Sequence, residues 1–225
     1  MKVLKFGGTS VGTVESLRHV KRIVEECDEQ VIVVVSALGG ITDLLISTAH
    51  QASSGDITYM QNYAKIVERH INVINGIVPQ EKINAVRKTI DMLLEELGNI
   101  YRGVSLIKDL SSRTLDIIVS YGERMSSTIV SNIVDGATLF DSREFIKTDT
   151  QFGKHVLNVE LTEKLIHDAC DGFNGKVALV PGFISSDSKG HDVTNLGRGG
   201  SDYTAAILCS TLDARQLEIW TDVDG

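Results

Sequence analysis

The sequence predicts an α/β domain built on a mainly parallel sheet, and two observations carry that expectation. Residues 31–35 read VIVVV. An unbroken β-branched run suits a strand buried on both faces, and such strands belong to parallel sheets. Within the first fifty residues the order strand, glycine turn, helix occurs twice, which is the sequence form of a βαβ unit. A chain of 225 residues, 42% of them hydrophobic, has enough length for one large domain or two small ones with a full core.

Residues 3–6 are a short apolar strand, followed by Gly7-Gly8-Thr9-Ser10. A helix over 13–27 places Val14, Leu17, Val20, Ile23, Val24 and Cys27 on one face. After the strand at 31–35, Ser36-Ala37-Leu38-Gly39-Gly40 turns the chain and Thr42-Asp43 opens another helix. Residues 56–75 and 79–97 read as two long helices, with Gly76 suited to the end of the first and Pro79 to the first turn of the second. They are expected to cover the sheet or make a subunit contact. Helices over 112–121 and 123–135 follow, divided at Gly122, then short strands at 137–141 and 145–148. A helix over 160–171, a buried strand over 176–183, a polar hairpin-like excursion over 185–194 and a last strand over 217–221 complete the pattern.

Net charge is −8 and no run of lysine and arginine interleaves with aromatics, so nucleic acid is not an expected partner. The three cysteines, Cys27, Cys170 and Cys209, lie far apart among apolar residues and read as buried thiols of a reducing compartment. Neither they nor the six histidines have metal-ligand spacing, and no protein metal ligand is assigned. The N-terminus lacks the apolar core of a signal peptide and no run is long enough to span a bilayer. A soluble cytoplasmic protein without a membrane partner is expected.

The chemistry centres on residues 195–206, NLGRGGSDYTAA. Glycine lets a ligand approach the backbone, Arg198 offers a planar fork for a carboxylate or phosphate, and Ser201 suits the cap of the following helix, whose free N–H groups attract an anion. A structural turn bearing a solvated arginine is the plain alternative. Further loops, 5–10, 36–42 and 221–225, fall at carboxyl ends of strands or helix starts, with Gly122-Glu123 as a fifth element. In a parallel sheet such ends share one edge. Backbone nests, a lysine and carboxylates together suit phosphoryl transfer, where the protein positions anions and neutralises charge; carboxylates can also hold magnesium, which keeps most of its water. A P-loop, a protein-kinase catalytic loop, a complete dinucleotide-binding GxGxxG and a GxSxG elbow do not occur. Singly, each residue has a structural reading: Lys5 as a strand-edge lysine reaching water, Glu123 and Asp202 as helix N-terminal carboxylates, Thr42 as a cap.

KFGGTSV (5–11), VVSALGGITDLL (34–45), GERMS (122–126), GRGGSDYTAA (197–206) and EIWTDVDG (218–225) resemble, in order and over the whole chain, the motifs of aspartokinases in the amino acid kinase superfamily. The opening MKVLKFGGTSVG and the EIWTDVDG form also resemble the aspartokinase part of bifunctional aspartokinase–homoserine dehydrogenases. The resemblance implies a three-layer α/β/α sandwich on a mainly parallel sheet and transfer of the ATP γ-phosphoryl group to the side-chain carboxylate of L-aspartate, with ATP and Mg2+ as cofactors. By matching positions, Arg198 would clamp the α-carboxylate and Glu123 the α-ammonium; Thr42 and Ser201 would hydrogen-bond the amino acid. Lys5 would stabilise the transferring phosphoryl group, oriented by Asp202. Gly7, Gly8 and Ser36 would approach the phosphates, and Thr221 and Asp222 would begin the nucleotide pocket. The family continues past the last motif, so residues 1–225 are expected to be a single amino acid kinase domain, incomplete at the C-terminus, without the remainder of the nucleotide site or regulatory domains. Such a domain is expected to bind ATP poorly and turn over little; the full-length protein is expected to be a homo-oligomer. Another amino acid kinase acting on a different small acid, and a non-catalytic aspartate-binding module, are the competing readings. An α-amino acid site argues against the first, and retention of both Lys5 and Asp202 against the second.

Overall fold

In the computed structural model, which describes residues 1–151 and 153–221, strand β1 (Lys2–Phe6) leads into helix α1 (Val14–Glu25). Thr13 caps that helix through a reciprocal pair of hydrogen bonds with Ser16, satisfying amides that would otherwise lack partners. β2 (Val31–Val35) is buried at every position, as a strand covered on both faces must be. Then come α2 (Ile41–Ser53), α3 (Tyr59–Ile77) and α4 (Gln80–Ile107). Val78 is extended, the conformation that a following proline enforces, and so breaks α3 from α4. α4 runs ten residues beyond the expected end at 97, because Gly98 sits against the Tyr63 hydroxyl instead of ending the helix.

α5 (Ser112–Ile133) is one helix where two were expected. Gly122 lies in its interior: a Cβ there would fall 2.8 Å from that of Ala37. The residue permits close packing and does not interrupt the helix. β3 (Ala137–Leu139), a single turn α6 (Ser142–Phe145), the hairpin β4 (Lys147–Gln151) and β5 (Lys154–Leu157), and α7 (Val159–Cys170) follow. The expected strand at 145–148 therefore begins two residues late, after α6. β6 (Val177–Pro181), the hairpin β7 (Ile184–Asp187) and β8 (Val193–Asn195), α8 (Gly200–Thr211) and β9 (Leu217–Trp220) complete the described chain.

Five strands form a wholly parallel sheet in the order β3-β6-β2-β1-β9. Strand alternation divides the core. Leu4, Phe6, Val31, Val33 and Val35 pack beneath α1 to α5, while Val3, Ile32 and Val34 pack beneath α7 and α8. The expected three-layer α/β/α sandwich is thus present. A second sheet, β5-β4-β7-β8, mixes parallel and antiparallel pairs and extends from the carboxyl end of β6, where the expected long strand over 176–183 stops at Pro181. The three cysteines are free and half-buried rather than buried, since they sit near helix ends or at the margins of the core. Among the described residues no helix is long and apolar enough to cross a membrane.

Candidate active site

The carboxyl ends of β1, β2 and β6 surround an open cavity of about 370 Å³. Lys5, Gly8, Ser36, Thr42, Glu123 and Arg198 line it, as do Ser201 and Asp202. Loops separated by up to 197 positions (202 − 5) in the chain therefore meet at one place. Ligands are expected there in sheets of this kind.

Two glycine-bearing segments, 7–12 and 39–40, pack backbone against backbone. A Cβ on Gly39 would lie 3.0 Å from the Gly8 carbonyl oxygen, and one on Gly8 would lie 3.3 Å from that of Ala37. The Arg69 guanidinium on α3 donates to the Gly12 carbonyl at 3.0 Å and to that of Gly39 at 3.4 Å, clasping both segments. Lys5, buried at the end of β1, places its ammonium 2.7 Å from Asp202 Oδ1 in the first turn of α8. Lys5 is therefore not a lysine reaching out to water.

Glu123 is only 3% exposed. Its Oε1 accepts the Ala37 N–H at 3.3 Å, and Oε2 is buried with no partner. An unmatched oxygen on a buried carboxylate costs about 1–3 kcal/mol, more if charged. The desolvation of this carboxyl pushes its pKa up to about 8, against the smaller opposing effect of the Ala37 amide. The group is largely protonated at neutral pH while nothing cationic faces it. Its place is mid-helix on α5, one residue past Gly122, so it is not a helix N-terminal carboxylate.

Arg198 is exposed and makes no hydrogen bond or ion pair among the described residues. Gly199, with φ 72°, caps α8 in the left-handed region. Ser201 is therefore inside the first turn and does not cap the helix. It is nearly buried, beside Gly182. Thr42 lies one residue inside α2, whose cap is Gly40. The Ser36 carbonyl accepts the Ser126 hydroxyl at 2.7 Å. Gly7 stands just behind the cavity wall: its N–H donates to the Trp220 carbonyl at 3.3 Å, and a Cβ there would approach Lys5 Nζ at 3.5 Å. Thr221 lines a different cavity, of about 340 Å³, with Phe6, His19 and Trp220. Asp222 lies outside the described residues.

Phe183 was not visible as a site residue. It lines the cavity with φ 64°, held by its N–H to Thr204 Oγ1 at 3.0 Å and by its carbonyl to the Leu196 N–H at 2.9 Å. No local signal announces it, because a bulky residue rarely takes positive φ. Asp43 also lines the cavity; the sequence marks it only as the residue after Thr42 where a helix opens.

Fold and cavity together define an α/β protein with an open, polar-lined cavity at the carboxyl edge of a parallel sheet. The model of the amino acid kinase family matches residues 1–225, and the chain belongs to that family. It is 34% identical to the lysine-sensitive aspartokinase 3 of Escherichia coli (strain K12), over 99% of this chain and 49% of that one. To the bifunctional aspartokinase/homoserine dehydrogenase of Buchnera aphidicola it is 31% identical, over 100% of this chain and 28% of that one. The crystal structure of E. coli aspartokinase III in complex with aspartate and ADP superposes with a TM-score of 0.89 at 32% identity, covering 100% of this chain and 50% of that one. The chain spans about half or less of the length of these relatives.

Proposed function

We propose that this chain is the catalytic domain of an aspartate kinase, which transfers the γ-phosphoryl group of ATP to the side-chain carboxylate of L-aspartate and yields 4-phospho-L-aspartate and ADP. The observation that carries the reading is the unmatched buried oxygen of Glu123 in the same cavity as the unpaired Arg198. A cation, and an acid that ionises when a cation faces it, suit the two charged groups of an α-amino acid when they share one cavity. The binding of aspartate and ADP by the E. coli relative supports the choice of ligands.

Arg198 clamps the α-carboxylate through two parallel hydrogen bonds. Glu123 takes the α-ammonium and gives up its proton as the cation arrives. Thr42 and Ser201 add hydrogen bonds to the amino acid. The side-chain carboxylate remains free, and it is ionised at pH 7, so the reaction needs no general base. One of its oxygens bonds to the γ-phosphorus as the bond from that phosphorus to the ADP oxygen breaks, and the electron pair leaves with ADP. Lys5 offsets charge on the moving phosphoryl group, and Asp202 orients its ammonium. Gly7, Gly8 and Ser36 approach the phosphates; Thr221 and Asp222 begin the nucleotide pocket. Asp43 and Asp202 are carboxylates at the cavity, the latter already paired with Lys5; these oxygen donors fit Mg2+ and would help hold it. The ion, when bound, neutralises phosphate charge. The product would serve lysine, threonine, methionine and isoleucine synthesis. We further assign the full-length protein to the cytoplasm, as a homo-oligomer.

Calorimetric titration with L-aspartate, with and without Mg-ATP, tests the reading beside Arg198→Ala. Binding weakened about a hundredfold in the variant is expected. Equal binding by both proteins, or a preference for L-glutamate, would overturn it.

A further inference from the structure

One carboxylate outside the cavity links several of its walls. Asp116 lies on α5, seven positions (123 − 116) before Glu123. Two such residues share a helix face about 10 Å apart along the axis. Asp116 Oδ1 accepts the Asn195 side-chain amide at 2.6 Å, and Oδ2 lies 2.9 Å from His155 Nε2 on β5. Asn195, the last residue of β8, in turn accepts the Gly197 N–H on its own Oδ1 at 2.9 Å. The chain thus runs from α5 through two side chains to the backbone immediately before Arg198. Arg113, one turn earlier on the helix, pairs with Asp192 on the same hairpin.

Arg198 itself makes no hydrogen bond or ion pair among the described residues. Its position depends on the backbone of the 197–200 loop, which Asn195 grips on one side and the Leu196 N–H to the Phe183 carbonyl on the other. The Asp116 side chain is only 15% exposed, so its charge-assisted hydrogen bonds are shielded from competing water. The charge serves no described contact within the cavity.

We propose that Asp116 is a positioning residue that holds the Arg198 loop at a set separation from Glu123, so that a single helix places both ends of an amino-acid clamp. This inference rests on the assignment of Arg198 and Glu123 to the α-carboxylate and α-ammonium. It predicts that Asp116 acts on ligand binding only through Arg198.

The test is a double-mutant cycle in L-aspartate affinity, with Asp116→Ala made in the parent chain and in Arg198→Ala. Asp116→Ala alone should weaken binding about tenfold. It should have no additional effect when Arg198 is absent. Asp116→Asn keeps an oxygen for Asn195 and an amide for His155, and should restore affinity. A full additive loss in the Arg198→Ala background, or an unchanged affinity in Asp116→Ala, would overturn the proposal. Hydrogen–deuterium exchange over residues 195–200, read without ligand, provides an independent arm. Protection should fall in Asp116→Ala and be retained in Asp116→Asn; equal protection in all three proteins overturns the proposal. If the parent chain binds no L-aspartate, the assignment of the cavity fails while the exchange arm still decides whether Asp116 orders the loop. Should Asp116→Ala not fold, Asn195→Ala cuts the same chain one link later and is read by the same criteria.

Discussion

The two glycine-rich walls of the cavity are built on different principles. At the 7–12 and 39–40 wall, Gly39 and Gly8 are required by space: they bring two backbones together where a methyl group would meet a carbonyl oxygen, and Arg69 clasps the junction; Gly40, at φ 79°, turns the chain into α2. At the 197–200 wall, Gly197 and Gly199 are required by handedness, while Gly200 is held by space, with an added Cβ 2.8 Å from the Phe183 ring. Gly197 and Gly199 have φ of 73° and 72°, with nothing within 4 Å of an added Cβ. The first wall is rigid through backbone packing and presents no titrating side chain of its own. The second is open, is steadied by Asn195, and offers a single exposed cation, Arg198. Close-packed backbone suits the phosphates, which every nucleotide shares. Selectivity among small acids has to come from side chains, and those stand on the other wall and on α5.

That contrast can be tested in order of effect. Arg198→Ala should cost about a hundredfold in L-aspartate affinity, as the loss of a two-pronged charge-assisted contact does, without lowering the melting temperature, because the residue is exposed and makes no hydrogen bond or ion pair among the described residues. Comparable loss of stability would mean that the open wall depends on its arginine. Gly39→Ala should do the reverse. The forced displacement at 3.0 Å should destabilise the domain by about 2 kcal/mol in urea unfolding and disturb nucleotide binding more than aspartate binding.

Titration probes two buried groups on the helices, Glu123 on α5 and His70 on α3. The Glu123 carboxyl is raised to about 8 by its burial, above its unfolded value near 4.5. Its folded form therefore favours the proton: the stability it contributes is present below that unfolded value and is lost as pH rises through 8, by up to about 1.4 kcal/mol per pH unit. His70 is lowered to about 4 by its own burial, so its stabilisation is present above 6.5 and is lost as pH falls toward 4. The two slopes oppose one another between 4.5 and 6.5. A net decline of about 1–2 kcal/mol is expected from pH 6.5 to 8, and Glu123→Gln should abolish it. Binding of L-aspartate at pH 7 should release nearly one proton, read as a buffer-dependent calorimetric enthalpy, and affinity should rise up to pH 8. Proton-neutral binding would remove Glu123 from the ammonium role.

The smallest effect belongs to Gly199→Ala. It leaves space untouched but forces an L-residue to φ 72°, a strain of about 1 kcal/mol. A larger loss would show that the open wall is packed more tightly than its surroundings indicate.

Much of the fold was legible because its signals are local. The VIVVV run announced a doubly covered strand, and the hydrophobic spacing of α1 fixed which face packs inward. The polar 185–194 excursion became the β7–β8 hairpin. Gly122 misled because a helix-interior glycine required by Ala37 looks, in one dimension, like a helix end. Phe183 and Asp116 were missed because neither carries a motif. One is defined by its backbone conformation, the other by partners at positions 155 and 195.

The sequence by itself determined the parallel α/β framework and singled out Lys5, Thr42, Glu123, Arg198, Ser201 and Asp202, which line one cavity, since periodicity, turn chemistry and motif order are written in neighbouring residues. Only the tertiary structure decided that Glu123 is a buried, largely neutral acid, that Lys5 is matched by Asp202, and that Arg198 stands unpaired. Charge state and pairing depend on desolvation and on distances of a few ångströms, and folding alone sets these between residues far apart in the chain.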